Sequence, residues 1–537
     1  MNNRRPIEFS TSIPRPFLIA LVLASISFWI STRHNDFPKE YHPDEPTKVA
    51  QLLGPSQERN FNHPLLMLEA ANSARVLLGV GDDERAVLAL GRRTSAVLAA
   101  IAVFGLAFAG YCTGGYPGLL LCGAIVALCP ALVVYAHFFK EDTALLAGLG
   151  ITIAGATWLT KANQQWAQGV AAVVMGVGFA AASSGKYVGA AALFPCVMAL
   201  VFAAKGGPGD LMKRIACFAV PAFSLLLLIN FRAFENFILL TPTASSKVTD
   251  EFLHGVTGHD DLTLGIPNAF LFRVSVSELL PDVWLFFAIG VLLTRVRSLV
   301  LAELVGPAFL LTFIFVLTCS AFPFARYALP TTVLAYFVAG QMISCALRRY
   351  NESRLKSIAI TVSLALIVIF QGNQIWLFNT QFADDSRQRL REWVANHIEE
   401  QETILAEDFT TLDEAGDSWR YPHQNQLRAK IIRVETVADR SSTLEQLKMS
   451  GIDYVAVAEP KYERYFRVGI RSITSKESDL VLRHRLFYAD LFARAELVWS
   501  SVPTPPSHAY LNPELRLYRL PDVNVATRRS QEIRSSN

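Results

Sequence analysis

Apolar runs of about 20 residues recur along the first 380 positions, each long enough to cross a bilayer as a helix that satisfies its own backbone polar groups. Eleven such stretches are predicted, at about 15–31, 94–112, 117–136, 142–160, 167–183, 187–204, 213–231, 281–295, 299–319, 328–346 and 357–376. The eighth is short enough to be re-entrant. Beyond residue 380 the pattern changes to short β-branched or apolar runs, Thr403–Glu407, Lys430–Val434, Tyr454–Ala458, Leu497–Ser500 and Leu515–Leu520. Between them lie helical stretches such as Ser442–Met449 and Asp479–Ala493, and the turn Pro503-Thr504-Pro505-Pro506 precedes the last strand. The fold class expected is a polytopic α-helical membrane protein over residues 1–380, followed by a small soluble α/β domain over residues 381–537.

Charge sets the orientation. With the N-terminus cytoplasmic, the short inner loops gather Arg4, Arg5, Arg15, Lys161, Lys205, Lys213, Arg214, Arg295, Arg297, Arg348, Arg349, Arg354 and Lys356, whereas the short outer loops carry one basic residue each. This is the positive-inside pattern, and eleven crossings then leave the C-terminal domain outside the cytoplasm. Arg92 and Arg93 do not fit it. Arg4, Arg5 and Arg15 before the Phe17–Ile30 run resemble a signal peptide. Trp29-Ile30-Ser31-Thr32-Arg33 offers no small-residue cleavage site, so a retained first span is expected.

Composition agrees, with 52% hydrophobic and 18% charged residues, and with nearly half of the 49 basic and 46 acidic residues lying after residue 380. A net charge of +3 and the absence of a basic run interleaved with aromatics argue against nucleic acid as a partner. The seven cysteines, Cys112, Cys122, Cys129, Cys196, Cys217, Cys319 and Cys345, all sit in apolar stretches at no metal-ligand spacing, which argues against disulfides and a thiolate zinc.

Loop parity carries the functional reading. Segments after odd-numbered spans face outward, and they hold the unusual residues: Tyr41-His42-Pro43-Asp44-Glu45-Pro46, Ala136-His137-Phe138-Phe139-Lys140-Glu141-Asp142, Ser183-Ser184-Gly185-Lys186-Tyr187 and Phe324-Ala325-Arg326-Tyr327. Taken singly, each charge can rest among headgroups. Together, carboxylates and lone cations on one face suit transfer from a phosphate-linked donor, a carboxylate taking the acceptor's proton and cations holding the departing phosphate. Asp44 can alternatively cap the helix that starts at Pro46. A neighbouring Glu45 would be expected to raise the pKa of Asp44. The first outer loop, 32–93, is too long to be a plain connector, and its Pro46–Leu53 and His63–Gly79 stretches suggest helices in the interface or against the bundle. In the outer loop 232–280, His254 and His259 beside Asp260 and Asp261 make a metal site conceivable, with solvated loop residues as the plainer reading.

The acidic pair in His42-Pro43-Asp44-Glu45, the downstream Asn62-His63-Pro64-Leu65, Asp142 closing the third-span loop and Arg326-Tyr327-Ala328-Leu329-Pro330 together resemble the GT-C superfamily of polyprenyl-phosphate-sugar glycosyltransferases. Within it they are most similar to glycosyltransferase family 39, the protein O-mannosyltransferase-like branch that includes lipid A aminoarabinose transferases. The resemblance spans residues 15–346 and extends less specifically to Gly451-Ile452-Asp453-Tyr454-Val455 and Phe487-Tyr488-Ala489-Asp490-Leu491. It implies Asp44, with Glu45 beside it, as catalytic base and Asp142 as the second acidic motif, a role Glu141 shares or replaces. It further implies Lys186, Arg326 and Tyr327 at the donor phosphate, supported by His63 and Lys140. The implied partners are a polyprenyl-phosphate-linked sugar, membrane lipids and a glycan, lipid or protein acceptor. No cofactor is implied, and a divalent metal stays open. Two other classes compete: a transporter or flippase with charges lining a path, and a tethered sensor that works through its outer domain.

Overall fold

The computed structural model describes residues 15–37, 41–55, 59, 61, 63–204, 206–232, 263–264, 269, 273–274, 301–321, 324–348, 353–412, 427–441, 443–466, 470–471, 475–501 and 510–522. Helices occupy each predicted apolar stretch except 281–295, which lies outside the described residues, as do His254, His259, Asp260 and Asp261. In chain order they are α1 (Arg15–Ser31), α2 (Glu45–Leu53), α3 (Leu66–Leu78), α4 (Glu84–Ala127), α5 (Pro130–Ala136), α6 (Asp142–Lys161), α7 (Gln165–Gly185), α8 (Leu193–Ala203), α9 (Pro208–Ile229), α10 (Leu301–Thr318), α11 (Leu329–Arg348) and α12 (Ser353–Ala383). Six helical stretches among the described residues are long and apolar enough to cross a membrane, and the chain is an integral multi-pass membrane protein.

The second span begins earlier than its apolar run. Asp83 caps α4 by accepting from Ala86 N at 2.8 Å, so the helix extends about three turns before residue 94 and carries Arg92 into the protein. Within α4, Gly115 adopts φ 67°, a backbone open to glycine, and there the chain folds back on itself. The third stretch is broken again before Pro130, which starts α5.

Small residues let the central helices pack closely. α6 touches α4 and α7 along its length through Gly148, Gly150 and Gly155, as helices in lipid do when apolar burial gives no net drive between them. The outer helices show the reverse pattern. Leu18, Leu21 and Trp29 of α1, Val220, Phe223 and Leu228 of α9, and Val368, Ile369 and Trp376 of α12 are exposed large apolar side chains, as lipid-facing positions require.

The C-terminal residues form α13 (Ser386–His397), β1 (Thr403–Glu407), β2 (Lys430–Val434), β3 (Tyr454–Ala458), α14 (Ser475–Arg494), β4 (Glu496–Ser501) and β5 (Leu515–Arg519). The sheet runs β2-β1-β3-β5-β4, with β1 parallel to β2 and β3, and β5 antiparallel to β3 and β4. β1 and β3 are buried throughout, as expected of central strands covered on both faces, although β1 ends on the polar Thr403 and Glu407. Leu390 and Val394 of α13 fill one face, and Phe487, Tyr488 and Leu491 of α14 the other.

This sheet unit is fastened to the membrane helices. Leu511 packs with Phe37, Tyr41, Phe138 and Phe382. Arg387 pairs with Asp385, lies over the Tyr41 ring at 3.6 Å and donates to Tyr41 O and Tyr510 O at 3.2 and 2.9 Å.

Candidate active site at the outer face

Four loop segments far apart in sequence meet where the helices end. Asp44 occupies the cap position of α2 but makes no capping bond with its side chain. Its carboxylate instead pairs with Lys140 and accepts from Arg326 Nη1 at 3.0 Å. Lys140 also contacts Glu141 at 3.1 Å, and Glu141 pairs in turn with Lys48, one helical turn beyond Asp44. Asp142, at the start of α6, accepts from Lys186 Nζ at 2.5 Å. That last contact needs glycine at 185, where a Cβ would lie 2.4 Å from Leu145 N and hold α7 away from α6.

Glu45 stands apart from this group. Its side chain is fully buried and takes two hydrogen bonds from Arg92, through Nε at 2.9 Å and through Nη2, and one from Phe139 N at 2.8 Å. Arg92 also donates to Asn35 O and Phe37 O, at 2.9 and 2.6 Å, and lies 3.5 Å over the Phe37 ring. Arg92 is therefore a buried partner of the acidic loop and not a breach of the charge pattern. Arg93 remains exposed.

With Glu45 turned away, the charge on Asp44 is set by cations. Burial opposes its ionisation, but Lys140 and Arg326 outweigh burial and hold the carboxyl well below its ordinary range. The expectation that Glu45 raises this pKa is thus corrected. Burial also draws the His42 imidazole down to about 3, leaving it neutral, and its Nδ1 accepts from Asp44 N at 3.2 Å. His63 is held neutral chiefly by burial, with Lys140, Lys48 and Lys186 adding to it.

A cavity of about 460 Å³ opens beside this cluster. Its polar end is His63, Lys186, Arg326 and Tyr327, and the rest is chiefly apolar, with Phe313, Val316 and Leu317 of α10 facing Val188, Ala190 and Ala191 before α8. Lys186 Nζ lies 4.8 Å over the Tyr327 ring and the Arg326 guanidinium 5.4 Å from it. Two buried polar atoms here lack a hydrogen-bond partner, Arg326 Nε and Asp142 Oδ2. Four basic side chains, Lys48, Lys140, Lys186 and Arg326, face three carboxylates, Asp44, Glu141 and Asp142, and burial pulls the Lys48 amine well below its ordinary range. Among the described residues no group of three or more His, Cys, Asp or Glu is placed to hold a metal ion.

Sequence reasoning missed Lys48, the partner role of Arg92, and Asn230. Asn230 Nδ2 donates to Ser184 Oγ at 2.8 Å while Oδ1 accepts from Leu65 N at 3.0 Å, joining the ends of α9 and α7 to the first outer loop. A single amide ending an apolar helix was the available signal.

No family model matches the chain, and no curated protein matches its sequence. Solved structures do. The structure of ArnT from Cupriavidus metallidurans bound to undecaprenyl phosphate is 13% identical, with 93% of this chain and 97% of that chain covered at a TM-score of 0.52. The apo oligosaccharyltransferase of Archaeoglobus fulgidus gives 10% identity, 84% and 71% coverage and a TM-score of 0.45. The S. cerevisiae Pmt1-Pmt2 complex bound to its sugar donor gives 16%, 44% and 35%, and 0.35. Over nearly its whole length, then, the chain resembles in fold a glycosyltransferase of the GT-C superfamily.

Proposed function

We propose that this chain is an inverting glycosyltransferase that moves a sugar from a polyprenyl-phosphate carrier to an acceptor hydroxyl on the non-cytoplasmic face. The observation that carries the reading is Asp44, tied to Lys140 and Arg326, at the polar end of a largely apolar cavity. A prenyl chain suits the walls contributed by α10 and the segment before α8. Its phosphate suits the unpartnered Nε of Arg326 and the Lys186 ammonium. Undecaprenyl phosphate in the ArnT structure accords with such a donor.

In the reaction, the acceptor oxygen attacks the anomeric carbon as Asp44 takes its proton, and the bond from that carbon to the phosphate oxygen breaks. The phosphate leaves with the electron pair, stabilised by Arg326 and Lys186, and the configuration at the carbon inverts. Arg326, one of the two cations that hold Asp44 before the donor arrives, is also one the phosphate recruits, so donor binding loosens the hold on the carboxylate and lets it act as base. Lys140, Glu141 and Lys48 fix this network, and Asp142 holds Lys186 in place. Glu45, bound by Arg92 and Phe139 N, orients the loop and does not touch substrate. Eleven spans with a cytoplasmic N-terminus put the cluster and the sheet unit outside, at the inner membrane in a bacterium. The exposed Val76, Leu77 and Leu78 at the end of α3 then rest in the interface.

Asp44→Asn tests the mechanism. It keeps the shape and removes the base, and a base contributes about 10²–10⁴-fold. The variant is expected to insert and to bind undecaprenyl phosphate while transferring almost no sugar. Turnover near that of the parent chain refutes the role of Asp44.

A further inference from the structure

The junction between α12 and the sheet unit holds a second cavity, of about 520 Å³, that shares no lining residue with the donor cavity. Its volume lies within the range of small-ligand sites, about 300–1,000 Å³. Thr380, near the end of α12, and Asp384, just beyond it, stand exposed at the rim, and Arg389 of α13, Trp499 and Ser501 of β4, and Asn512 line the rest. Thr380 lies one helical turn past Trp376, a lipid-facing side chain 69% exposed, so the cavity opens near the membrane surface.

Trp499 reaches this cavity where the sheet breaks its own register. β4 is an edge strand, and its pairing with β5 skips Val498, since Leu497 lies opposite Tyr518 and Trp499 opposite Leu517. A bulge of this kind at a sheet edge re-aims the side chain beside it. The indole rests partly against the core beneath and lends the remainder of its surface to the cavity.

The polar wall is held in place by the protein's own bonds. Arg389 donates to Asp384 Oδ2 at 3.3 Å through Nη1 and to Ser501 Oγ and Asn512 Oδ1, both at 3.1 Å, through Nη2. Asn512 is only 3% exposed. Its Oδ1 also accepts from Ser386 N at 2.8 Å, while its amide NH₂ makes no hydrogen bond among the described residues and is left to the cavity that it lines. Arg389 Nε is likewise buried without a partner. Free donors thus stand beside the Asp384 carboxylate and the hydroxyls of Thr380 and Ser501, and the charges of Asp384 and Arg389 offset each other. An anion would meet Asp384 and a cation would meet Arg389. A neutral ring with adjacent hydroxyls meets neither objection: its hydroxyls donate to the carboxylate and accept from the amide, and its C–H face lies on the indole.

We propose that this cavity binds one hexosyl ring of a neutral saccharide, set against Trp499 and held by Asp384, Arg389 and Asn512. None of these residues belongs to the Asp44 cluster, so the inference goes beyond the glycosyltransferase reading and either can fail without the other.

The test uses the full-length chain in phosphatidylcholine nanodiscs, free of maltoside detergent, which would compete. Methyl glycosides of glucose, galactose, mannose and N-acetylglucosamine are titrated by saturation-transfer NMR. At least one should bind with a dissociation constant on the order of 1 mM, as the per-atom limit for small ligands implies for a single ring. Trp499→Ala should weaken it about tenfold and Asp384→Asn about threefold. Asp384 is exposed, so its variant should unfold at the parent's temperature and decides the question even if Trp499→Ala does not fold. The proposal is overturned if none of the four binds the parent, if Asp384→Asn and a folded Trp499→Ala both keep the parent's affinity, or if glucose 6-phosphate binds more tightly than any of the four. A diacylglycerol carrying the bound sugar, added to the nanodisc, separates two sources of the ring: displacement of the glycoside identifies a lipid headgroup, and undiminished binding a water-soluble glycan.

Discussion

Glu45→Gln separates a catalytic from a structural use of the acidic pair. The substitution leaves an oxygen that can still accept from Phe139 N, but it removes the charge opposite Arg92, which is 1% exposed. Two unit charges about 4 Å apart at an effective dielectric near 20 attract by about 4 kcal/mol. Breaking a buried pair from one side costs about 3–5 kcal/mol, because the remaining charge has nothing to offset its desolvation. Arg92 keeps its bonds to Asn35 O and Phe37 O, so a loss of about 3 kcal/mol is expected. Removing the stranded charge in Glu45→Gln/Arg92→Met should recover part of it, with a coupling of about 2–3 kcal/mol between the two sites. Chemical denaturation of the detergent-solubilised chain measures both, and sugar transfer at a temperature where each variant is folded measures function. The folded single variant should keep a substantial fraction of parent turnover. If Glu45→Gln is as stable as the parent and yet inactive, Glu45 works on substrate and the positioning argument fails.

Arg326→Ala leaves Asp44 paired with Lys140 and should fold normally, while weakening donor use about ten- to a hundredfold, the range for a charged hydrogen bond; an undiminished thermal shift with undecaprenyl phosphate would make Arg326 a mere anchor. Lys186→Met strands the buried Asp142 and should cost stability as well as donor affinity, so equal stability of the two variants would contradict the pairing. In the sheet unit, burial raises the Glu407 carboxyl to about 7, although Tyr488 OH and the N–H groups of Ala458 and Val437 donate to it. The folded state then holds its proton more tightly than the unfolded chain, so this stabilisation is complete below about pH 4.5 and is lost as pH rises to about 7, by about 3 kcal/mol. Glu407→Gln should flatten the pH dependence of thermal unfolding between pH 5 and 8, and a variant with the parent's slope would show that another group titrates.

Membrane helices and central strands were legible because each follows from a local rule, a long apolar run or a short β-branched one. The strands predicted at Thr403–Glu407, Lys430–Val434 and Tyr454–Ala458 have those bounds in the structure. Boundaries set by capping were harder, as α4 shows: the polar start that Asp83 caps lies outside the apolar window, and Arg92 was left without a reason. For the site, loop parity placed Asp44, Lys140, Asp142, Lys186 and Arg326 on one face, but parity cannot assign partners. Which cation meets which carboxylate depends on helix rotation and on close approaches such as that at Gly185.

The same limit explains the misjudged acidity of Asp44. Adjacent carboxylates in sequence suggest repulsion, yet the turn into α2 points Asp44 and Glu45 to different neighbours, Lys140 and Arg326 for one and Arg92 for the other. Each carboxylate thereby has its own cations, and the two answer different needs. One pair is sealed, with Glu45 fully buried and Arg92 nearly so, which suits a brace. The other is a third exposed at Asp44 and borders a cavity with an unpartnered Arg326 nitrogen, which suits exchange of partners when a phosphate arrives. A buried ion pair with every position filled has nothing to give a ligand, whereas a partly open one with an unpartnered Arg326 nitrogen has a donor to offer a phosphate. In the proposed mechanism that difference in completeness, and not proximity in sequence, separates the carboxylate assigned as base from the one assigned as brace.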